Sequence, residues 1–174
     1  MVATENSMKH DQPLDTIKIL IADDNMAMRH LLRAAITQWG YHVIEARDGE
    51  EAWDMMQQTD PPRILIIDWK MPKLDGIALC ERIRKNLNFY PYIIFLTQMS
   101  GAANIIRGLE AGADEFLLKP VNLTELRTHI FAGEQIIKYV RIIQEQKKQL
   151  QDCHLYIKTL EILLAILIEK GAKK

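Results

Sequence analysis

Apolar and polar positions alternate with two different periods along this chain. After a polar stretch, residues 1 to about 15, the run "IKILIA" (17–22) is short, apolar and rich in β-branched residues, as a buried strand is. "MAMRHLLRAAITQWG" follows with apolar residues at helical spacing, Met28, Leu31, Leu32, Ala35 and Ile36, and Gly40 ends it. "YHVIEA" (41–46) predicts a second strand, and "GEEAWDMMQQ" (49–58) a second helix that stops before Pro61-Pro62. The run 63–67 predicts the third strand and "DGIALCERIRKN" (75–86) the third helix. "PYIIFLT" (91–97), "GAANIIRGLEAG" (101–112) and "EFLLK" (115–119) predict the fourth strand, fourth helix and fifth strand. Near-continuous apolar strands alternating with helices predict an α/β fold, a doubly wound five-stranded parallel sheet covered on both faces. In such sheets ligands bind beyond the carboxyl ends of the strands.

From Leu123 the pattern changes. Between Gly133 and Gly171 there is no glycine and no proline, so one helix can run for 37 residues, roughly 55 Å at 1.5 Å per residue. A heptad register fits its second half. Ile143, Leu150, Ile157 and Leu164 fall at one core position, and Gln146, Cys153, Leu160 and Leu167 at the other. The ending "LEILLAILIEK" is apolar around nearly its whole circumference, so a two-stranded coil leaves Ile162, Leu163 and Ile166 partly exposed. The expected organisation is a tail over 1–15, a globular domain over 16–132, and a long helix over 133–174 serving oligomerisation.

Composition narrows the class. The chain has 174 residues, 48% of them hydrophobic and 26% charged, with a net charge of -1. These values describe a folded globular protein without the electrostatic footprint of a nucleic-acid or membrane binder. Cys80 and Cys153 lie far apart in no metal-ligand spacing, and read as reduced thiols in a cytoplasmic protein. The amino terminus has no hydrophobic core of the signal-peptide kind, and no apolar run is long enough for a bilayer span.

The strand ends carry the chemistry. The first strand ends in Asp23-Asp24, the third in Asp68, the fourth in Thr97 and the fifth in Lys119. Singly, each has a simpler reading: an Asp pair caps a helix, Asp68 caps a turn, and Thr97 is an ordinary strand threonine. Together they converge on one sheet edge, which capping does not explain. Three neighbouring carboxylates repel one another, and a divalent cation such as Mg²⁺ neutralises them while also binding phosphate oxygens. A lysine opposite offers a compact positive charge to a phosphoryl group, and a threonine hydroxyl a hydrogen bond. One aspartate then acts as nucleophile, forming an acyl phosphate.

At these residues the sequence resembles a response-regulator receiver domain. The matches are "LIADDN" (20–25), "IIDWKMPKLDG" (66–76), "FLTQ" (95–98) and "GADEFLLKP" (112–120), in the family's order, over roughly residues 16–132. The resemblance implies a flavodoxin-like strand order, 2-1-3-4-5. It implies Asp68 as the phosphoacceptor, with Mg²⁺ held by Asp23, Asp24, Asp68 and the backbone carbonyl of Lys70. Thr97 is then the switch hydroxyl, Phe116 the aromatic whose rotamer reports the switch, and Lys119 the phosphate-binding lysine. The Lys119-Pro120 bond is expected to be cis, a geometry that only X-Pro bonds adopt readily. Gln98 stands where the family usually has a small residue, so it and Lys70 are candidates for tuning the lifetime of the phosphate. Phe116 in place of tyrosine leaves a switch that works by packing alone. "GADEF" (112–116) imitates the GGDEF signature of diguanylate cyclases, but it lies on the predicted fifth strand beside Lys119 with no cyclase-sized domain around it.

The resemblance also implies a partner, a sensor histidine kinase or phosphotransfer protein. The chain carries no helix-turn-helix pattern after residue 120. Its helical end has eight basic against five acidic side chains, a solvated face rather than a DNA-reading stripe. His154 falls beside the heptad seam and reads as a flank residue rather than a phosphotransfer site. Two outputs remain open. In the first, phosphorylation changes how copies pair through the long helix, or what its apolar end binds; no separate catalytic domain is then expected. In the second, "IFAGEQIIKYVRIIQEQKKQLQ" is the connector of a larger regulator with a cyclase or phosphatase output. The lysine-rich ending "EKGAKK" reads as a natural terminus and favours the first. A third reading, a degenerate receiver that is never phosphorylated, conflicts with the complete set of Asp23, Asp24, Asp68, Thr97 and Lys119.

Overall fold

The run Ile64-Leu65-Ile66-Ile67 sends side chains to both faces of a strand, so it can be satisfied only inside a two-sided core. A computed structural model of the chain places it there. The model describes residues 17–98 and 102–171, with side chains outside 102–105 and 165–171. The expected tail over 1–15 and the side chain of Leu167 lie outside the described residues.

Five strands are formed: β1 (Lys18–Ala22), β2 (His42–Ala46), β3 (Ile64–Asp68), β4 (Tyr92–Thr97) and β5 (Glu115–Leu118). They make one sheet in the order β2-β1-β3-β4-β5, every neighbouring pair parallel. Between them run α1 (Met26–Gln38), α2 (Gly49–Met56), α3 (Gly76–Asn86) and α4 (Ala102–Glu110), and α5 (Leu123–Gly171) follows β5. This is the doubly wound, flavodoxin-like arrangement that the alternating pattern implies.

Strand alternation sorts the core into two layers. Leu20, Leu65, Ile67, Ile93 and Phe95 face Trp53 and Met56 of α2 and Leu79, Cys80 and Ile83 of α3. Ile19, Ile21, Ile64, Ile66, Ile94 and Leu117 face Leu32 and Ile36 of α1 and Leu126 and Ile130 of α5. Leu31, at helical spacing in the sequence, is 50% exposed. Leu32 and Ile36, one helical turn apart, already cover the sheet.

Gly133 does not interrupt α5. A Cβ there would lie 2.4 Å from the Tyr92 ring, so the glycine lets α5 approach the sheet closely. The chain divides into two compact units after Ile137. The second, from Lys138, is helical to Gly171, and its described side chains from Arg141 to Leu164 are all exposed.

Asp114, the aspartate of "GADEF", holds strand ends together instead of serving cyclase chemistry. Its Oδ2 accepts from the Ile93 N–H at 2.7 Å and from Arg84 Nη2 at 2.8 Å, and the Tyr90 hydroxyl also donates to it. Arg84 also donates to the Gly112 and Pro91 carbonyls at 2.8 and 2.7 Å, tying α3 to the starts of β4 and β5. Burial, then the bond to Asp114, pushes the Tyr90 hydroxyl up to about 12. Arg84→Met leaves the Asp114 charge in a largely dehydrated site without its cation, a loss of about 3 kcal/mol. Urea unfolding of that variant measures it, and a loss below about 1 kcal/mol, the range of exposed pairs, would show the network to be dispensable.

Candidate active site

Parallel register places the polar strand ends side by side. Ala22 pairs with Ile67, Asp68 with Leu96, and Thr97 with Leu118, so the residues just beyond these pairs meet at the carboxyl edge. Asp23, Asp24 and Asp68 each bring a carboxylate oxygen within 4.8 Å of the others. Lys119 Nζ sits 2.8 Å from Asp23 Oδ2 and 3.0 Å from Asp68 Oδ1. Asp23 is 0% and Asp68 9% exposed, Thr97 is buried, and Asp24 opens to solvent. Lys119 is anchored through its own N–H, which donates to the Thr97 carbonyl at 2.8 Å, and its bond to Pro120 is cis.

Capping explains none of these carboxylates. The cap of α1 is Asn25, whose Oδ1 accepts from the Ala27 and Met28 N–H groups. The cap of α3 is Asp75, which accepts from the Ala78 N–H. Asp68 is the last residue of β3 itself, one position further than the predicted strand end. Asp23 takes the Asn25 N–H at 2.8 Å, and Arg29 donates to the Asp23 backbone carbonyl at 2.7 Å.

The β3–α3 loop is clamped from two sides. The Trp69 N–H donates to the Leu96 carbonyl and the Trp69 carbonyl accepts from Gly76, both at 3.0 Å. A Cβ on Gly76 would come within 2.4 Å of the Asp68 carbonyl, so α3 starts directly against the acid's own backbone. Lys73, in the left-handed region at φ 66, reaches Asp48 at 2.6 Å, and Asp48 in turn caps α2. That pairing, with the Glu51 N–H, holds the Asp48 carboxyl below its ordinary value. Lys70 and Gln98 are exposed, whereas Phe116 is half-buried with its ring 5.6 Å from Phe95. The sequence offered no signal for Arg29, Asp48 or Lys73; their partners lie on other elements.

Burial raises the Asp68 carboxyl above its ordinary value; Lys119 opposes this, and the charges of Asp23 and Asp24 add to it. Burial works to lower Lys119, but hydrogen bonds and charge from Asp23 and Asp68 hold it above the usual lysine value. Three carboxylates facing one ammonium leave an excess of negative charge on hard oxygen donors. That donor set fits a hard divalent cation, Mg²⁺ above all, with Asp23, Asp24 and Asp68 as the side chains able to hold it.

A carboxyl whose folded-state pKa is raised binds its proton more tightly when folded, so stability falls as pH rises from the unfolded to the folded value. In chelator, Asp68→Asn is therefore expected to gain stability relative to the parent chain as pH climbs from about 4 (the ordinary carboxylate range) toward neutrality. Thermal unfolding across that range tests this, and a gap that closes with rising pH would contradict it.

A family model, the response regulator receiver domain, matches residues 19–131. The chain is 42% identical over 115 residues to "Probable transcriptional regulator ycf27" of Guillardia theta, covering 66% of this chain and 44% of that protein. It thus spans less than half the length of this curated relative. The Francisella response regulator 1452 receiver domain superposes with TM-score 0.60 at 31% identity, over 75% of this chain and 98% of that one. A structure described as a "probable two-component system response regulator/GGDEF domain protein" gives TM-score 0.65 at 27% identity, over 70% of this chain and 50% of that one. With the sheet order, the acidic cluster and the buried lysine, these matches establish that the chain belongs to the response-regulator receiver family of two-component systems.

Proposed function

We propose that Asp68 accepts a phosphoryl group from the phosphohistidine of a cytoplasmic sensor kinase or phosphotransfer protein. The convergence of Asp23, Asp24 and Asp68 on Lys119, none of the three acids serving as a helix cap, carries this reading. An Asp68 oxygen attacks phosphorus in line; the P–N bond breaks as the P–O bond forms, and the imidazole leaves with the electron pair. Lys119, close to both Asp23 and Asp68, turns from them toward the incoming phosphoryl oxygens and holds them. The Thr97 hydroxyl donates to another of those oxygens. Asp23, Asp24, Asp68 and the Lys70 carbonyl hold Mg²⁺, which when bound supplies neutralisation of developing phosphoryl charge. Lys70 and Gln98, exposed beside the site, tune hydrolysis, and Phe116 relays the state by packing.

The output in this reading is association of copies. The receiver (16–132) is followed by the long helix (133–174), whose seam is Ile143, Leu150, Ile157, Leu160, Leu164 and Leu167. Support comes from the exposure of the described seam residues, with Leu150 72% accessible in the single chain. Among the described residues no helix is long and apolar enough to cross a membrane. The second reading makes the chain the front of a larger regulator with a cyclase or phosphatase output, favoured by its likeness to the GGDEF-containing structure.

Acetyl phosphate with Mg²⁺ is expected to label the parent chain. The Asp68→Asn variant takes no label while its far-UV circular dichroism stays native, and chelation silences the parent. Undiminished labelling of Asp68→Asn would sink the assignment. In solution the full chain is expected to be a dimer or larger by light scattering, and a chain ending at Ile137 a monomer. A monomeric full chain, labelled or not, contradicts the oligomerising helix.

A further inference from the structure

The phosphoacceptor is followed directly by a buried tryptophan, and the surroundings of that indole give it a task. Trp69 is 7% exposed, and its ring centroid lies 5.4 Å from Phe95 and 6.4 Å from Phe116. Phe95 and Phe116 are register partners on β4 and β5, with rings 5.6 Å apart on the same face of the sheet. The third wall of this slot is α4. A Cβ on Gly108 would stand 2.4 Å and 2.5 Å from Phe116 Cζ and Cε1, and 3.0 Å from Trp69 Cζ3. Gly108 is buried within α4, where a glycine weakens a helix relative to alanine. Its negative-φ helical backbone does not call for glycine, so the space does: both rings occupy the volume where the methyl would be.

We propose that Trp69 and Gly108 are positioning residues for the Phe116 switch. Trp69 carries the state of Asp68 to α4 by direct ring contact, and Gly108 is the seat that lets Phe116 close against it. This rests on Asp68 being the phosphoacceptor, and adds a route beside the one through the Thr97 hydroxyl. The route is short because every link is fixed at its ends. Trp69 is continuous with Asp68 in the backbone and pinned on both sides by its bonds to Leu96 and Gly76. Any shift of the acid on becoming an acyl phosphate therefore moves the indole. Packed rings cannot absorb that shift, since interiors lack the free volume. Phe116 then has to move on its Gly108 seat, and α4 with it. Phe116 has no hydroxyl to anchor it elsewhere, so ring contact alone determines its position.

The test uses the full chain with 5-fluorotryptophan at its three tryptophans, Trp39, Trp53 and Trp69. The Trp69 ¹⁹F signal is assigned by its loss in Trp69→Phe. Gly108→Ala is expected to displace the Trp69 signal before any phosphorylation, leaving Trp39 and Trp53 in place. Gly108→Ala/Phe116→Leu, which vacates the crowded volume, is expected to return it and to restore an altered rate of labelling by acetyl phosphate. In the parent chain, labelling with acetyl phosphate and Mg²⁺ is expected to shift Trp69 alone, and Gly108→Ala to blunt that shift. A Trp69 signal unmoved by Gly108→Ala overturns the seat, and one unmoved in a parent chain shown to be phosphorylated overturns the relay. If the parent takes no label, the phosphoacceptor reading fails, and the unphosphorylated Gly108→Ala comparison still decides the seat. Should Gly108→Ala not fold, Phe116→Leu alone removes the ring from the other side, and an unchanged Trp69 signal then refutes the contact.

Discussion

One ammonium group set between two buried carboxylates is the constraint on which the site depends. Lys119 follows β5, while Asp68 ends β3 two strands away and Asp23 follows β1 three strands away. Neighbouring strands stand roughly 4.8 Å apart, so the lysine reaches both acids only because the segments beyond the strands bend over the sheet edge. The Lys119 N–H holds to Thr97, and the Arg29 guanidinium to the carbonyl of Asp23, fixing two of those segments. The acids sit close enough to repel and buried enough to resist ionisation, and the lysine offsets part of both effects. What remains is a site with surplus negative charge, poised for a cation and for the phosphate oxygens that the lysine prefers to a shared proton.

The rigidity of that arrangement comes from the loop after β3. Gly76 brings α3 against the Asp68 backbone, Lys73 pins the loop to Asp48, and Gly49 lets α2 approach the Leu74 carbonyl. A flexible loop here would spread the acid over several positions and waste the proximity that makes an acyl phosphate form. The same loop begins with Trp69, so the acid is held on one side by charge and on the other by aromatic packing. Chemistry at Asp68 and shape change at α4 therefore share a boundary, without any need for a long path between them.

Much of this was legible in the chain. The alternation of β-branched runs with amphipathic segments predicts every strand and helix of the sheet to within a residue or two, because buried parallel strands have to be apolar on both faces. Misreadings are local. Leu31 carries helical spacing but lies off the buried arc, since periodicity gives a face and not its width. Gly133 reads as a helix boundary, yet α5 runs through it, because its lack of a side chain serves the Tyr92 ring rather than a turn. "GADEF" borrows a cyclase signature, and its aspartate turns out to bind Arg84, Tyr90 and the start of β4.

Sequence alone determined the fold class, the identity of the acids, the threonine and the lysine, and their placement at strand ends, because each depends on local pattern and on the parallel order it implies. Tertiary structure decided which acids are buried and which of them Lys119 touches. It also assigned capping to Asn25 and Asp75, and closed an aromatic slot over Gly108. Those outcomes depend on distances between elements far apart in the chain, set by twist, register and side-chain volume, and no local pattern encodes them. Asp68 is named by its strand; its neighbours in space make it a site.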